Sequence, residues 1–111
     1  MKKHKLGEFQ ELVLMSVVIL KEDAYGNEID RYLESCLNER QSMGAIQTAL
    51  KRMEEKGFLT SKWGEVTQKR GGKRKRIYAA TPLGQKVLRE MRDLRTRMWN
   101  EMPDLEIGSL S

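Results

Sequence analysis

The sequence predicts a mainly α protein with one small antiparallel hairpin. Three features carry that reading. Apolar residues recur at helical spacing in three stretches between Gly7 and Lys56. Two short alternating segments then flank a glycine pair, Gly71-Gly72, and Thr81-Pro82 opens a long final helical stretch. At 111 residues the chain suffices for one domain with a modest core and is too short for two. Hydrophobic residues make up 39% of it, lean enough that sharing apolar surface in a dimer would help.

The first helix is expected over Gly7 to Lys21, with Phe9, Leu12, Val13, Ser16 and Leu20 at helical spacing. Its segment from Leu12 to Leu20 is apolar nearly all round, which predicts a place at the centre of the core. Asp23 is a candidate cap for a second helix bearing Tyr25, Ile29, Leu33 and Cys36 on one face. Gly26 on that helix predicts a close approach to a neighbour, where a side chain would not fit. Ser42 should cap a third helix running to about Lys56, with Ile46, Ala49, Leu50 and Met53 as its core stripe. Its opposite face carries Gly44, Thr48, Lys51, Arg52 and Glu55, with Gln47 on the flank. Gly57 ends it, and Phe58-Leu59 return the chain to the core. Thr60 to Val66 and Arg74 to Ala80 read as two antiparallel strands, with Trp63, Ile77 and Ala79 as inward candidates. The last helix is expected from Pro82 to about Met102, where Pro103 stops it.

Three helices, a hairpin and a terminal helix make a winged helix-turn-helix with a C-terminal dimerisation helix. The expected organisation is a DNA-binding domain over 1–81, a dimerisation helix over 82–102 and a flexible tail over 103–111. In such a fold the third helix enters the major groove while the hairpin reaches backbone or minor groove. The charge is distributed accordingly. Between Lys51 and Arg76 ten Lys/Arg face three acids, a local +7, whereas the whole chain carries +5. The hairpin tip, Lys69-Arg70-Gly71-Gly72-Lys73-Arg74-Lys75-Arg76, concentrates six of those cations. A solvated charge run would serve solubility alone. Cations focused on the two elements that meet a duplex favour double-stranded DNA as partner. The expected contacts are Ser42, Gly44, Gln47, Thr48, Lys51 and Arg52 on the third helix. On the wing they are Lys69, Arg70, Gly71, Gly72, Lys73, Arg74 and Lys75.

Several function classes are disfavoured. Cys36 is the sole cysteine, expected as a buried thiol, and His4 is the sole histidine, so neither a disulfide nor a catalytic or metal-binding pair can be assembled. Gly71-Gly72-Lys73 is not a phosphate-binding loop, which would require glycine at Thr67 and Ser/Thr at Arg74. Neither an enzymatic activity nor a cofactor is expected. No stretch reaches transmembrane length and no signal peptide is evident, so a soluble cytoplasmic protein is expected. A winged-helix module for RNA or protein partners is the alternative, although few aromatics are placed to stack unpaired bases.

Five segments in order resemble the PadR family of bacterial transcriptional regulators. They are Leu6-Gly7-Glu8-Phe9, Ala24-Tyr25-Gly26, Gly44-Ala45-Ile46, the run from Leu50 to Leu59, and Thr81-Pro82-Leu83-Gly84. The segments from Gly64 to Thr67 and from Arg70 to Tyr78 are similar to the wing of one branch of that family. The resemblance covers residues 6–100 and is closest to short members with a single C-terminal helix. Gln47 replaces the aromatic usual in the family's third helix and could read adenine through a bidentate amide contact. Val66 stands where proline is common, so the first strand is expected to extend further.

On the last helix Val87, Met91, Leu94 and Met98 repeat at spacings of four, three and four, a short coiled-coil-like seam continued by Met102. Burying four such side chains is worth about 6–10 kcal/mol per helix, so a homodimer through this seam is expected. The resemblance implies dimers of that kind. Met15 and Met53 read as core fillers. Trp99 beside the seam is either an interface aromatic or, with Met98, the lining of a space between subunits. The family's sensing of small aromatic compounds implies the second. The function expected from these readings is a dimeric repressor, released by a small aromatic effector.

Overall fold

The structure is a computed structural model and describes residues 6–64 and 74–105. His4, Val66, Lys69, Arg70, Gly71, Gly72, Lys73 and the end of the tail from 106 onward lie outside the described residues. The elements in order are α1 (Glu8–Leu20), α2 (Gly26–Leu37), α3 (Met43–Glu55), β1 (Leu59–Trp63), β2 (Arg76–Ala80) and α4 (Pro82–Glu101). A 3-10 turn over Lys21–Asp23 joins α1 to α2.

Helices α1, α2 and α3 pack on one another around Val13, Leu14, Val17, Ile29, Leu33, Ile46, Leu50 and Met53, all buried. The core stripe expected for α3 is buried in full. Ser16 sits inside this cluster at no cost in unpaired polarity, because its hydroxyl donates to the Leu12 carbonyl at 2.8 Å. The hairpin closes one side. Its strands are antiparallel with Leu59 opposite Ala80 and Trp63 opposite Arg76. The free edge of β2 is tied to the body by the Tyr78 amide, which donates to the Ala24 carbonyl at 2.9 Å.

The junction between α3, the hairpin and α4 is the most constrained part of the chain. Gly57, at φ 83°, ends α3 in a Schellman motif, in which the Gly57 amide donates to Glu54 O and the Phe58 amide to Met53 O. The turn drives Phe58 into the core, 1% exposed. Thr81 then clasps the same turn. Its amide donates to the Phe58 carbonyl at 3.0 Å and its hydroxyl donates to the Gly57 carbonyl at 2.6 Å. The hydroxyl oxygen also accepts from the Gly84 amide at 3.0 Å, which makes it the N-cap of α4. Pro82 follows at the first helical position, where its missing N–H costs nothing. A Cβ on Gly84 would lie 2.2 Å from the Phe58 carbonyl oxygen, so α4 docks this closely only because position 84 has no side chain.

Four sequence expectations are corrected. Asp23 does not cap α2. The chain takes a further 3-10 turn after α1, which leaves Tyr25 as N-cap with no side-chain cap bond. Strand register puts Trp63 on one face and Ile77 and Ala79 on the other, so they cannot all point inward. The buried positions are Leu59 and Tyr78, and Trp63 lies beyond the helices, 57% exposed. Cys36 is exposed, since α2 reaches its last turn past the core at Leu33. Met15 is also exposed, with Val18 and Ile19, so α1 is central on one face and bare on another. The first strand ends at Trp63 among the described residues, and whether it extends to Val66 lies outside them.

Replacing Gly84 with alanine should lower the unfolding free energy by about 1–3 kcal/mol or more, since the clash is with backbone that cannot rotate away. Urea unfolding of Gly84→Ala against the wild type measures it.

Candidate nucleic-acid interface

The outward side of α3 is built from its cap upward. Ser42 lies in extended backbone and its Oγ accepts from the Ala45 amide at 2.9 Å. No acid occupies the first turn of α3, so nothing there offsets the positive end of the helix dipole. Gly44, Thr48, Lys51 and Arg52 are all exposed on the face opposite the core stripe. A shallow groove of 310 Å³ runs beside them, lined by Phe9 and Gln10 of α1 together with Gly44, Ala45, Thr48, Ala49 and Arg52. Gln10 thereby borders this face, a neighbour that helical periodicity along α1 alone does not indicate. A Cβ on Gly44 would meet only the Ser42 hydroxyl, at 4.0 Å, so the protein's own packing does not require glycine there.

Gln47 is exposed but turned aside. Its Nε2 lies 3.8 Å from Met43 Sδ and 2.9 Å from the place a Cβ on Gly26 would occupy. The close approach expected at Gly26 is thus with α3, and the Gln47 amide fills the room the glycine leaves.

The wing cations within the described residues are not equivalent. Arg74 is exposed. Lys75 is half-buried, with Nζ 5.6 Å from the centroid of the Tyr25 ring. Arg76, the first residue of β2, stays exposed, its side chain by 45%, but lies back across the hairpin toward α3. Its Nε donates to Ser61 Oγ at 2.9 Å, its Nη2 lies 3.7 Å from Glu54 Oε2, and its guanidinium stands 5.3 Å from the Trp63 ring centroid. Burial raises the Tyr78 phenol above its ordinary range.

The last helix divides into two halves. Val87 is 1% exposed and packs within its own domain, so it is withdrawn from the expected dimer seam. The physical reason is that α4 lies along its own core over its first turns. Met91 is half-buried against that core. Leu94, Met98, Trp99 and Met102 are exposed, Leu94 by 51% and Trp99 by 62%. Arg95 pairs with Glu11, a mostly buried carboxylate of α1, and this hydrogen bond raises the guanidinium pKa further. That pair fixes α4 along α1. A cavity of 580 Å³ lies elsewhere, between Val17, Val18 and Lys21, the outer face of the hairpin and Gln85.

Among the described residues no cluster of His, Cys, Asp or Glu could hold a metal ion, and no helix is long and apolar enough to cross a membrane. Comparison with known proteins decides the family. The sequence model described as the transcriptional regulator PadR-like family matches residues 14–90, over half of the chain. The chain belongs to the PadR-like family of transcriptional regulators, which are not enzymes. No protein of curated function matches it in sequence. Solved structures share the fold. A PadR-like transcription factor from Bacteroides fragilis is similar at TM-score 0.70 and 22% identity, over 83% of this chain and 84% of that one. A PadR family regulator from Clostridium difficile R20291 is similar at TM-score 0.58 and 27% identity, over 82% and 91%. Bacillus subtilis PadR, solved in complex with operator DNA, is similar at TM-score 0.60 and 17% identity. That alignment spans 93% of this PadR-like chain and 53% of the other.

Proposed function

We propose that this PadR-like chain is a dimeric, sequence-specific DNA-binding regulator that represses by occluding a promoter. The observation that supports the reading best is the outward face of α3. It offers two cations, a hydroxyl and a helix N-terminus with no acid in its first turn, beside a glycine that packing within the protein does not demand. A duplex backbone approaching Gly44 supplies the missing reason for glycine. Lys51 and Arg52 then neutralise phosphates, and Thr48 meets base edges. Lys69, Arg70, Lys73, Arg74 and Lys75 follow the backbone from the wing, with Gly71 and Gly72 allowing a close approach. The B. subtilis relative crystallised with operator DNA supports the same use of the fold. A cytoplasmic location follows from that role.

The exposed half of α4 supports a partner copy at that surface. Leu94, Met98, Trp99 and Met102 are large apolar side chains left exposed along α4, a surface that a second copy of the chain would cover. Two third helices then read half-sites about one helical turn apart, ~34 Å. Trp99 and Met98 of the two copies together line a space for a planar aromatic effector, whose entry changes the spacing of the third helices and releases the DNA.

Gly44→Leu should leave thermal stability equal or slightly higher, since leucine is the better helix former by up to about 1 kcal/mol. Its affinity for an operator duplex should fall at least tenfold. Unchanged affinity in a gel-shift titration would place the duplex away from this face.

Leu94→Lys with Met98→Lys puts like charges on a self-complementary surface, so sedimentation should show monomers and weaker operator binding. Trp99→Ala should stay dimeric while losing its fluorescence response to planar aromatic compounds, measured with Trp63 replaced by phenylalanine. A dimeric double-lysine protein contradicts the seam, and an unaltered aromatic affinity of Trp99→Ala contradicts the effector site.

A further inference from the structure

Glu54 is an acid on the helix proposed to enter the groove, and Arg76 is a wing cation that, although exposed, is engaged by that acid. Each is unfavourable for DNA binding taken alone. Together they make sense. Glu54 stands in the last turn of α3, Ser61 in the middle of β1 and Arg76 at the first residue of β2. The Ser61 hydroxyl donates to Glu54 Oε2 at 2.7 Å and accepts from Arg76 Nε at 2.9 Å, while Arg76 Nη2 closes the triangle on the same carboxylate oxygen at 3.7 Å. The far side of the guanidinium rests 5.3 Å from the Trp63 ring centroid.

We propose that Glu54, Ser61 and Arg76 form a positioning clamp that sets the angle of the wing relative to α3, so that both elements fit one duplex at once. The proposal rests on the DNA-binding reading above. A two-stranded hairpin has little rigidity of its own. Elsewhere the hairpin is held by Lys75 over Tyr25, just before β2, and at the middle of β2 by the Tyr78–Ala24 backbone bond. The clamp supplies the link to α3 itself, at the last described turn before the cationic tip. Arg76 is therefore a positioning residue, and its charge is committed to Glu54 and Ser61 ahead of any phosphate. A wing held in advance loses less conformational freedom on binding than one that must be ordered by the DNA.

The test turns on sign. Removing an acid beside a polyanion strengthens binding if charge alone matters. The clamp requires the reverse. With a duplex selected from random-sequence DNA by the wild-type protein, Glu54→Gln and Ser61→Ala should each lower affinity roughly three- to tenfold, the scale of ordering one further flexible element. The log–log salt slope should flatten as wing phosphate contacts loosen. Ser61→Thr, which keeps the hydroxyl, should restore both. In the DNA-free protein the Trp63 indole N–H resonance should shift in Glu54→Gln and Ser61→Ala but not in Ser61→Thr, with thermal midpoints little changed. Tighter binding by Glu54→Gln at an unaltered slope overturns the clamp. So does a Trp63 resonance that stays put in both variants. The Trp63 readout judges the clamp without DNA, so a wild type that selects no duplex fails the DNA-binding reading separately.

Discussion

The fold depends on one shared turn, Gly57-Phe58, gripped from both sides. On the upstream side it is the Schellman end of α3, and on the downstream side it receives the Thr81 amide and hydroxyl and the close pass of Gly84. One short stretch of backbone thereby decides where α3 stops, where β1 begins and where α4 docks. The Thr81 hydroxyl satisfies one unpaired carbonyl and one unpaired amide with a single side chain, both of which would otherwise be left at helix ends. Because Phe58 is buried in the same core as Ile46, Leu50 and Met53, α3 is set against the body through this point.

From that point the functional surfaces diverge. α3 presents Gly44, Thr48, Lys51 and Arg52 on the side away from its buried stripe, so a single amphipathic pattern serves the core and the proposed interface together. The hairpin leaves the junction at Leu59 and returns at Ala80, held by Ala24 on one edge and by Glu54 on one face. α4 continues outward with its first half on the core. Its last turns carry Met98, Trp99 and Met102 into the open beyond the Glu11–Arg95 pair. The proposed reading, backbone tracking and self-association would thus fall to separate elements hung on one turn.

Much of this was legible because the signals are local. Ser42 and Thr81 cap helices through amides three residues on, Gly57 supplies a positive φ and Pro82 a first helical position, and the structure puts each where its chemistry indicates. The stripe of α3 was legible because one side of that helix is polar throughout. Where expectation failed, the cause was tertiary. Alternation in the strands states which residues share a face but not which face is covered, so Trp63 and Ile77 could be told apart only by the register. Val87 lies on the same apolar stripe as Leu94, and a stripe does not record where the domain beneath a helix ends. Cys36 is set on the apolar side of α2 one turn past the point where α1 and α3 still reach it. Arg76 looked like one more cation of the tip, because its partners Glu54 and Ser61 are 22 and 15 residues away in sequence. A pairing at that range has no local signature.

The central claim is that α3, fixed by the Gly57-Phe58 turn, reads specific DNA as one of a symmetric pair. The most direct measurement is to sequence the genomic fragments that the purified protein retains from its own genome at near-physiological salt. The account predicts enrichment of an inverted repeat whose half-site centres lie about 10 bp apart, one turn of the duplex. Retention of fragments with no common motif, in proportion to their length, would contradict it and leave only backbone charge as the basis of binding.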